Sequence, residues 1–148
     1  MVDQDKIEHL LRRLRTYTGH LDAVVTQEEA TFLTNPMLVG SARYYLQVSI
    51  ETCINIANHI IATERLRAPK DYKDVFNVLA EASILPSDFA RTMQALAGLR
   101  NLLVHLYWEV DDQMIYRGIQ AELGDFATFT QYVMAYLQSV VSRTPERD

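Results

Sequence analysis

A single cysteine, Cys53, stands among 148 residues, so no internal disulfide framework can form. No second thiol is present for a zinc ribbon or a redox pair, and a reducing, cytoplasmic setting is the expectation. Glycine (five) and proline (four) are equally scarce, which leaves room for long uninterrupted helices. No glycine-rich loop follows a strand-like segment, and this excludes nucleotide folds of the P-loop and Rossmann kinds. Long apolar runs are missing too. The most apolar stretch, Val48 to Ile61, is interrupted by Glu51, Asn55, Asn58 and His59, too polar and too short to span a bilayer. The first six residues are polar and acidic, so no targeting leader is expected. A basic excess is also absent: 14 Lys and Arg face 19 Asp and Glu, a net charge of −5. Any surface for nucleic acid must therefore be a local patch. His9, His20, His59 and His105 are not at metal spacing and no paired Glu-x-x-His motif occurs, so neither metal nor cofactor is expected.

What remains is an ordinary globular composition, 49% hydrophobic and 22% charged. A chain of this length buries roughly 68–70% of its extended surface without staples. Apolar residues recur at three- and four-residue intervals nearly throughout. The spacing predicts a first helix over about 4–29 and a second over about 37–65, opened by Thr34-Asn35-Pro36 and closed by Ala68-Pro69. A short third helix is expected over 71–82. A fourth begins at Ser87 as N-cap, with Asp88 favouring the dipole, and runs to near Tyr107. Residues 109–113 read as an acidic turn. The last helix covers about 114–142, with Gly118 and Gly124 as weak points and a frayed tail from about 143. The expectation is one all-α domain over 1–148, an up-and-down bundle of four to five helices.

One stretch concentrates chemistry: Gly98-Leu99-Arg100-Asn101-Leu102-Leu103-Val104-His105-Leu106-Tyr107. Histidine moves protons near neutrality, and arginine stabilises a phosphate as its charge grows. Asn101 can orient either partner. The set suits cleavage of RNA by its own 2′-hydroxyl. A plainer reading stays open on the residues alone: Arg100 and Asn101 in solvent, His105 closing the helix, Tyr107 half-buried. At about 100° per residue, Arg100 and His105 stand about 140° apart on a helix. Both reach one pocket only if the helix breaks before His105 or if two copies of the chain build the pocket together. Cys53 lies on an apolar face and reads as core.

At these residues the chain resembles HEPN domains, helical bundles whose R-x4-6-H motif matches Arg100-Asn101-x3-His105. The longer pattern Arg100-x4-His105-x-Tyr107, followed by Val110-Asp111, is similar to HepT-type toxins of HEPN/minimal-nucleotidyltransferase toxin–antitoxin systems. Arg43-x3-Gln47-x3-Glu51-x3-Asn55-x3-His59 and Pro69-x2-Tyr72 follow that family's layout, and the likeness extends over roughly residues 7–137. The resemblance implies a homodimer with a composite, metal-independent ribonuclease site, in which Arg100 and His105 are the catalytic pair and Asn101 supports them. It implies an RNA substrate, messenger or transfer. It implies a nucleotidyltransferase antitoxin of the MntA kind that adds AMP to Tyr107. The chain carries Asn55 where relatives often carry Asp, which implies lower activity if that acid orients a catalytic group. Arg43, Arg65, Arg67, Lys70 and Lys73 are the candidate contacts to RNA or partner, with a solvated basic face as the alternative. The rival function is a HEPN module that binds a nucleotide or a nucleotidyltransferase and cleaves nothing.

Overall fold

The computed structural model describes residues 3–143; the expected frayed tail beyond them lies outside the described residues. Six α-helices follow one another: α1 (Gln4–Val25), α2 (Glu29–Leu33), α3 (Pro36–Thr63), α4 (Asp74–Glu81), α5 (Ser87–His105) and α6 (Asp112–Arg143). A single 3₁₀ turn, Tyr107–Glu109, joins α5 to α6, and no strand occurs among the described residues. None of these helices is long and apolar enough to cross a membrane.

The all-α expectation holds, but there is one helix more than the four to five expected. The helix predicted to reach Glu29 stops at Val25, where Thr26 closes it with its backbone N–H and hydroxyl. The chain then makes the short α2, drawn inward by the fully buried Phe32, whose ring lies 5.3 Å from that of Tyr116. A five-residue helix carries too little periodicity to be read from spacing. Asn35 caps α3 by accepting from the Leu38 N–H, and Pro36 occupies the first turn. The α3 helix ends at Thr63, before the expected Ala68-Pro69 stop. Arg65 adopts φ 54° and the Leu66 N–H returns to the Ile61 carbonyl, a left-handed closure. Ser83, at φ 61°, closes α4 in the same way.

Two start signals fall elsewhere than expected. Ser87 is the first helical residue of α5 and makes no cap bond; Asp88 accepts from the Phe89 N–H instead. Asp111 accepts from the Met114 N–H, so the supposed acidic turn is in part the start of α6. Gly118 and Gly124 do not interrupt α6.

The four long helices run up and down. Tyr17 and His20 of α1 meet Tyr45 of α3, Arg100 of α5 meets Glu51 of α3, and Phe89 of α5 meets Tyr132 of α6. Arg43 and Glu64 of α3 contact Asp112 and Arg143 of α6, so α3 and α6 run the same way. The α3 helix is central: it packs against α1, α2, α4, α5 and α6 and buries twelve residues. Cys53 is among them, and burial pushes its thiol pKa up, which suits a core residue rather than a nucleophile. The Phe76 and Phe129 rings lock α4 to α6, edge-on at 5.9 Å.

Glu122 breaks the pattern. It sits on the inward stripe of α6, between Ile119 and Phe126, and its Oε2 is buried without a hydrogen-bond partner. Burial, reinforced by Asp125 one turn on, pushes its carboxyl up to about 7. The protonated form therefore stabilises the fold. That contribution is complete below about pH 4.5 and is lost as pH rises through about 7. Glu122→Gln should melt above wild type at pH 8, with a gap of about 1–2 kcal/mol after allowing for partial exposure. The two proteins should converge near pH 4.5 in thermal melts run across this range.

Candidate active site

The stretch singled out in the sequence forms the last two turns of α5 and the turn beyond it. Arg100 points across to α3, where its Nε donates to Glu51 Oε1 at 3.0 Å and its Nη2 is ion-paired with the same oxygen at 2.9 Å. Its Nη1 donates to Asn101 Oδ1 at 3.2 Å. The ring of Tyr72 lies against the guanidinium, 4.9 Å from centroid to Cζ. Gln47, one turn before Glu51, donates to the same Oε1 at 3.2 Å. The Arg100 side chain is only 16% exposed and that of Glu51 31%. The plain reading of Arg100 as a solvated surface residue thus does not hold. Half-buried charges need partners, and here the partner is a carboxylate from the neighbouring helix.

Glu51 and Tyr72 are the residues that sequence reasoning left without a role. A signal for Glu51 existed. Arg43, Gln47, Glu51, Asn55 and His59 recur every fourth residue along an otherwise apolar helix, which places a polar stripe on one face. The partner of that stripe lay 49 residues away and could not be read from spacing.

His105 is the final residue of α5 and is exposed. The helix runs unbroken through it, so the chain does not bend His105 toward Arg100; no hydrogen bond joins the two among the described residues. Past it, Leu106 leaves helical geometry and donates its N–H back to the Leu102 carbonyl. Tyr107 and Trp108 then stand 61% and 66% exposed, edge-on to each other at 5.3 Å. Leu102 and Leu106, the chain neighbours of His105 on this segment, are also exposed, so that the end of α5 presents an apolar rim.

Arg43 holds this turn in place. Its guanidinium donates to the backbone carbonyls of Tyr107 (3.1 Å) and Val110, and to Asp112 Oδ1 at 3.2 and 2.9 Å. Arg43, a candidate contact to RNA or partner, thus also serves as an internal strap on this turn. Two charges of the acidic stretch 109–113 are likewise used locally, Asp112 on Arg43 and Asp111 at the start of α6. The second basic group divides. Arg67 is held between Asp74 and Glu81 by four hydrogen bonds, and this pairing keeps the Asp74 carboxyl well below its usual range. Arg65 and Lys70 are exposed, and Lys73 lays its side chain over Gly98 of α5. Among the described residues no three His, Cys, Asp or Glu side chains gather into a metal-holding group.

The chain is similar to known proteins over most of its length. Residues 7–133 match a family model described as Ribonuclease HepT-like. The chain is 33% identical over 90 residues to the mRNA nuclease HepT of Shewanella oneidensis, covering 61% of this chain and 68% of that one. It is 29% identical over 133 residues to the tRNA nuclease HepT of Aphanizomenon flos-aquae, covering 88% and 89%. Among solved structures, the tri-AMPylated Shewanella oneidensis HEPN toxin in complex with MNT antitoxin superposes with a TM-score of 0.83. It has 27% identity over 89% of this chain and 98% of that one.

Removing the strap tests its role. Arg43→Ala should cost about 1–3 kcal/mol in denaturant unfolding, since hydrogen bonds to a charged group are lost. Amide exchange should rise locally over residues 106–112, while the centre of α3 keeps its protection. Uniform exchange across the chain would show that the strap does not act on the turn.

Proposed function

The chain belongs to the HepT-like ribonuclease family, and from that membership we propose that it is a toxin-type endoribonuclease working without a metal. The observation that carries this reading is Arg100-x4-His105-x-Tyr107 at the exposed end of α5, with the arginine braced and the histidine and tyrosine open to solvent. His105 takes the proton of an RNA 2′-hydroxyl. The 2′-oxygen bonds to phosphorus, the bond to the 5′-oxygen breaks, and that oxygen leaves with the proton His105 took up and now returns. Arg100 steadies the phosphorane as its charge grows. The products are a 2′,3′-cyclic phosphate and a 5′-hydroxyl, and Asn101 supports Arg100 through the bond between them.

The site is shared between two copies. Arg100 and His105 leave α5 on different sides and a straight helix cannot turn both into one pocket. A two-fold axis near the apolar rim of Leu102, Leu106 and Trp108 would bury that rim and bring both pairs around one cleft. The partner that silences the site is a minimal nucleotidyltransferase antitoxin that places AMP on Tyr107. Added bulk and negative charge beside the arginine keep an RNA phosphate out. The 61% exposure of Tyr107 leaves its hydroxyl open to such a transfer. The substrate is cellular RNA, messenger or transfer, and Lys73, Lys70 and Arg65 are the cations left to meet its backbone.

Two experiments test this. Unmodified protein, its intact mass checked first, is incubated with total RNA in EDTA beside His105→Ala and Arg100→Ala. Wild type should leave cyclic-phosphate ends, and each variant should lose at least about 100-fold in rate, the range for a general acid–base group. An inactive, demonstrably unmodified dimer would shift the assignment to a binding module. Separately, wild type incubated with the cognate antitoxin and ATP should gain whole AMP units in mass, and Tyr107→Phe should gain none.

A further inference from the structure

Arg100 is held in a specific way, and the hold determines which of its N–H groups a substrate can reach. A guanidinium carries five N–H donors in one plane, grouped into a side-on fork (Nε and Nη2) and an end-on fork (Nη1 and Nη2). Here Glu51 Oε1 lies against the side-on fork, accepting from Nε at 3.0 Å and ion-paired with Nη2 at 2.9 Å. One Nη1 hydrogen goes to Asn101 Oδ1. Tyr72 covers one face of the plane at 4.9 Å. Nη1 and Nη2 each keep at least one hydrogen outside these hydrogen bonds, and these are the donors left for phosphate oxygens. Glu51 is itself steadied by Gln47 from one turn earlier on α3, the central helix of the bundle.

We propose that Glu51 and Tyr72 are positioning residues for Arg100: they fix its plane and leave the end-on fork as the phosphate-facing edge. This rests on the ribonuclease reading above. Without these two groups the side chain has several rotatable bonds and no fixed plane, and bidentate contact with a phosphorane must be found anew in each turnover. The carboxylate also lowers the net charge of the site. Ground-state RNA is therefore held no more tightly for its presence, and the benefit of orientation appears in the chemical step.

The two roles separate in kinetics. Glu51→Gln should lower kcat about 10–100-fold with KM within about twofold of wild type, the pattern of an interaction realised in the transition state. Tyr72→Leu, which leaves the ion pair intact, should lower kcat about two- to fivefold, the equivalent of an exposed cation–π contact. Melting curves should confirm that both variants remain folded. A Glu51→Gln protein as active as wild type, or more active, overturns the proposal and makes the pairing inert or inhibitory. A second readout does not depend on cleavage. On adding a 2′-deoxy-substituted oligonucleotide, the Arg100 Nη signals in nitrogen-edited NMR should move while the Nε–H signal stays. A moving Nε–H signal means that phosphate displaces Glu51, and it sinks the proposal whatever the cleavage result. Should wild type cleave nothing while the Nη signals alone respond, the ribonuclease reading fails and the orientation of Arg100 toward phosphate stands.

Discussion

The central place of α3 is the constraint on which the rest of the molecule depends. A helix touching five others has little surface left, and α3 spends what remains on a single polar stripe. That stripe supplies the carboxylate that receives Arg100 and the guanidinium that holds the turn after His105. Moving α3 by one residue would turn both groups about 100° away from their partners. The apolar packing of Leu46, Ile50, Cys53 and Ala57 on the inner faces therefore sets the register of the polar contacts on the outer one. Close-packed interiors resist such shifts, and that resistance is what a poorly connected end of α5 borrows.

Charge is handled in the same economical manner. The chain is acidic overall, yet its arginines near the site are paired one by one: Arg43 with Asp112, Arg67 with Asp74 and Glu81, Arg100 with Glu51. Pairing removes most of the long-range field that a nucleic-acid surface ordinarily displays. On the function proposed above, an RNA strand meets a small number of oriented donors and the exposed Arg65, Lys70 and Lys73. Recognition built this way depends on shape and on the geometry of one phosphate more than on bulk attraction, and it is correspondingly less sensitive to salt.

Much of this was legible in the sequence. The scarcity of glycine and proline together with three- and four-residue apolar spacing leads to an all-α chain, and Asn35-Pro36 marks the start of α3 correctly. The cluster from Arg100 to Tyr107 stood out as a candidate site because its residue types suit one chemistry. Three things were not. The short α2 depends on Phe32 finding the core, a tertiary effect. The ends of α3 and α4 depend on Arg65 and Ser83 taking left-handed conformations that neither residue type favours. The partners of Arg43, Arg67 and Arg100 depend on which helices face each other, so a row of basic residues looked freer in the sequence than it is in the fold.

The turn after α5 has one more property. Trp108 is the chain's single tryptophan, and it stands largely in water beside His105 and Tyr107 instead of in the core. The molecule therefore carries its one indole on the turn beside the candidate site and none in the core. A lone copy should therefore emit to the red even when folded, so that unfolding it changes the colour little. Covering the turn, by a second copy of the chain or by any other partner, shifts it to the blue. For this protein, tryptophan light reports company rather than folding.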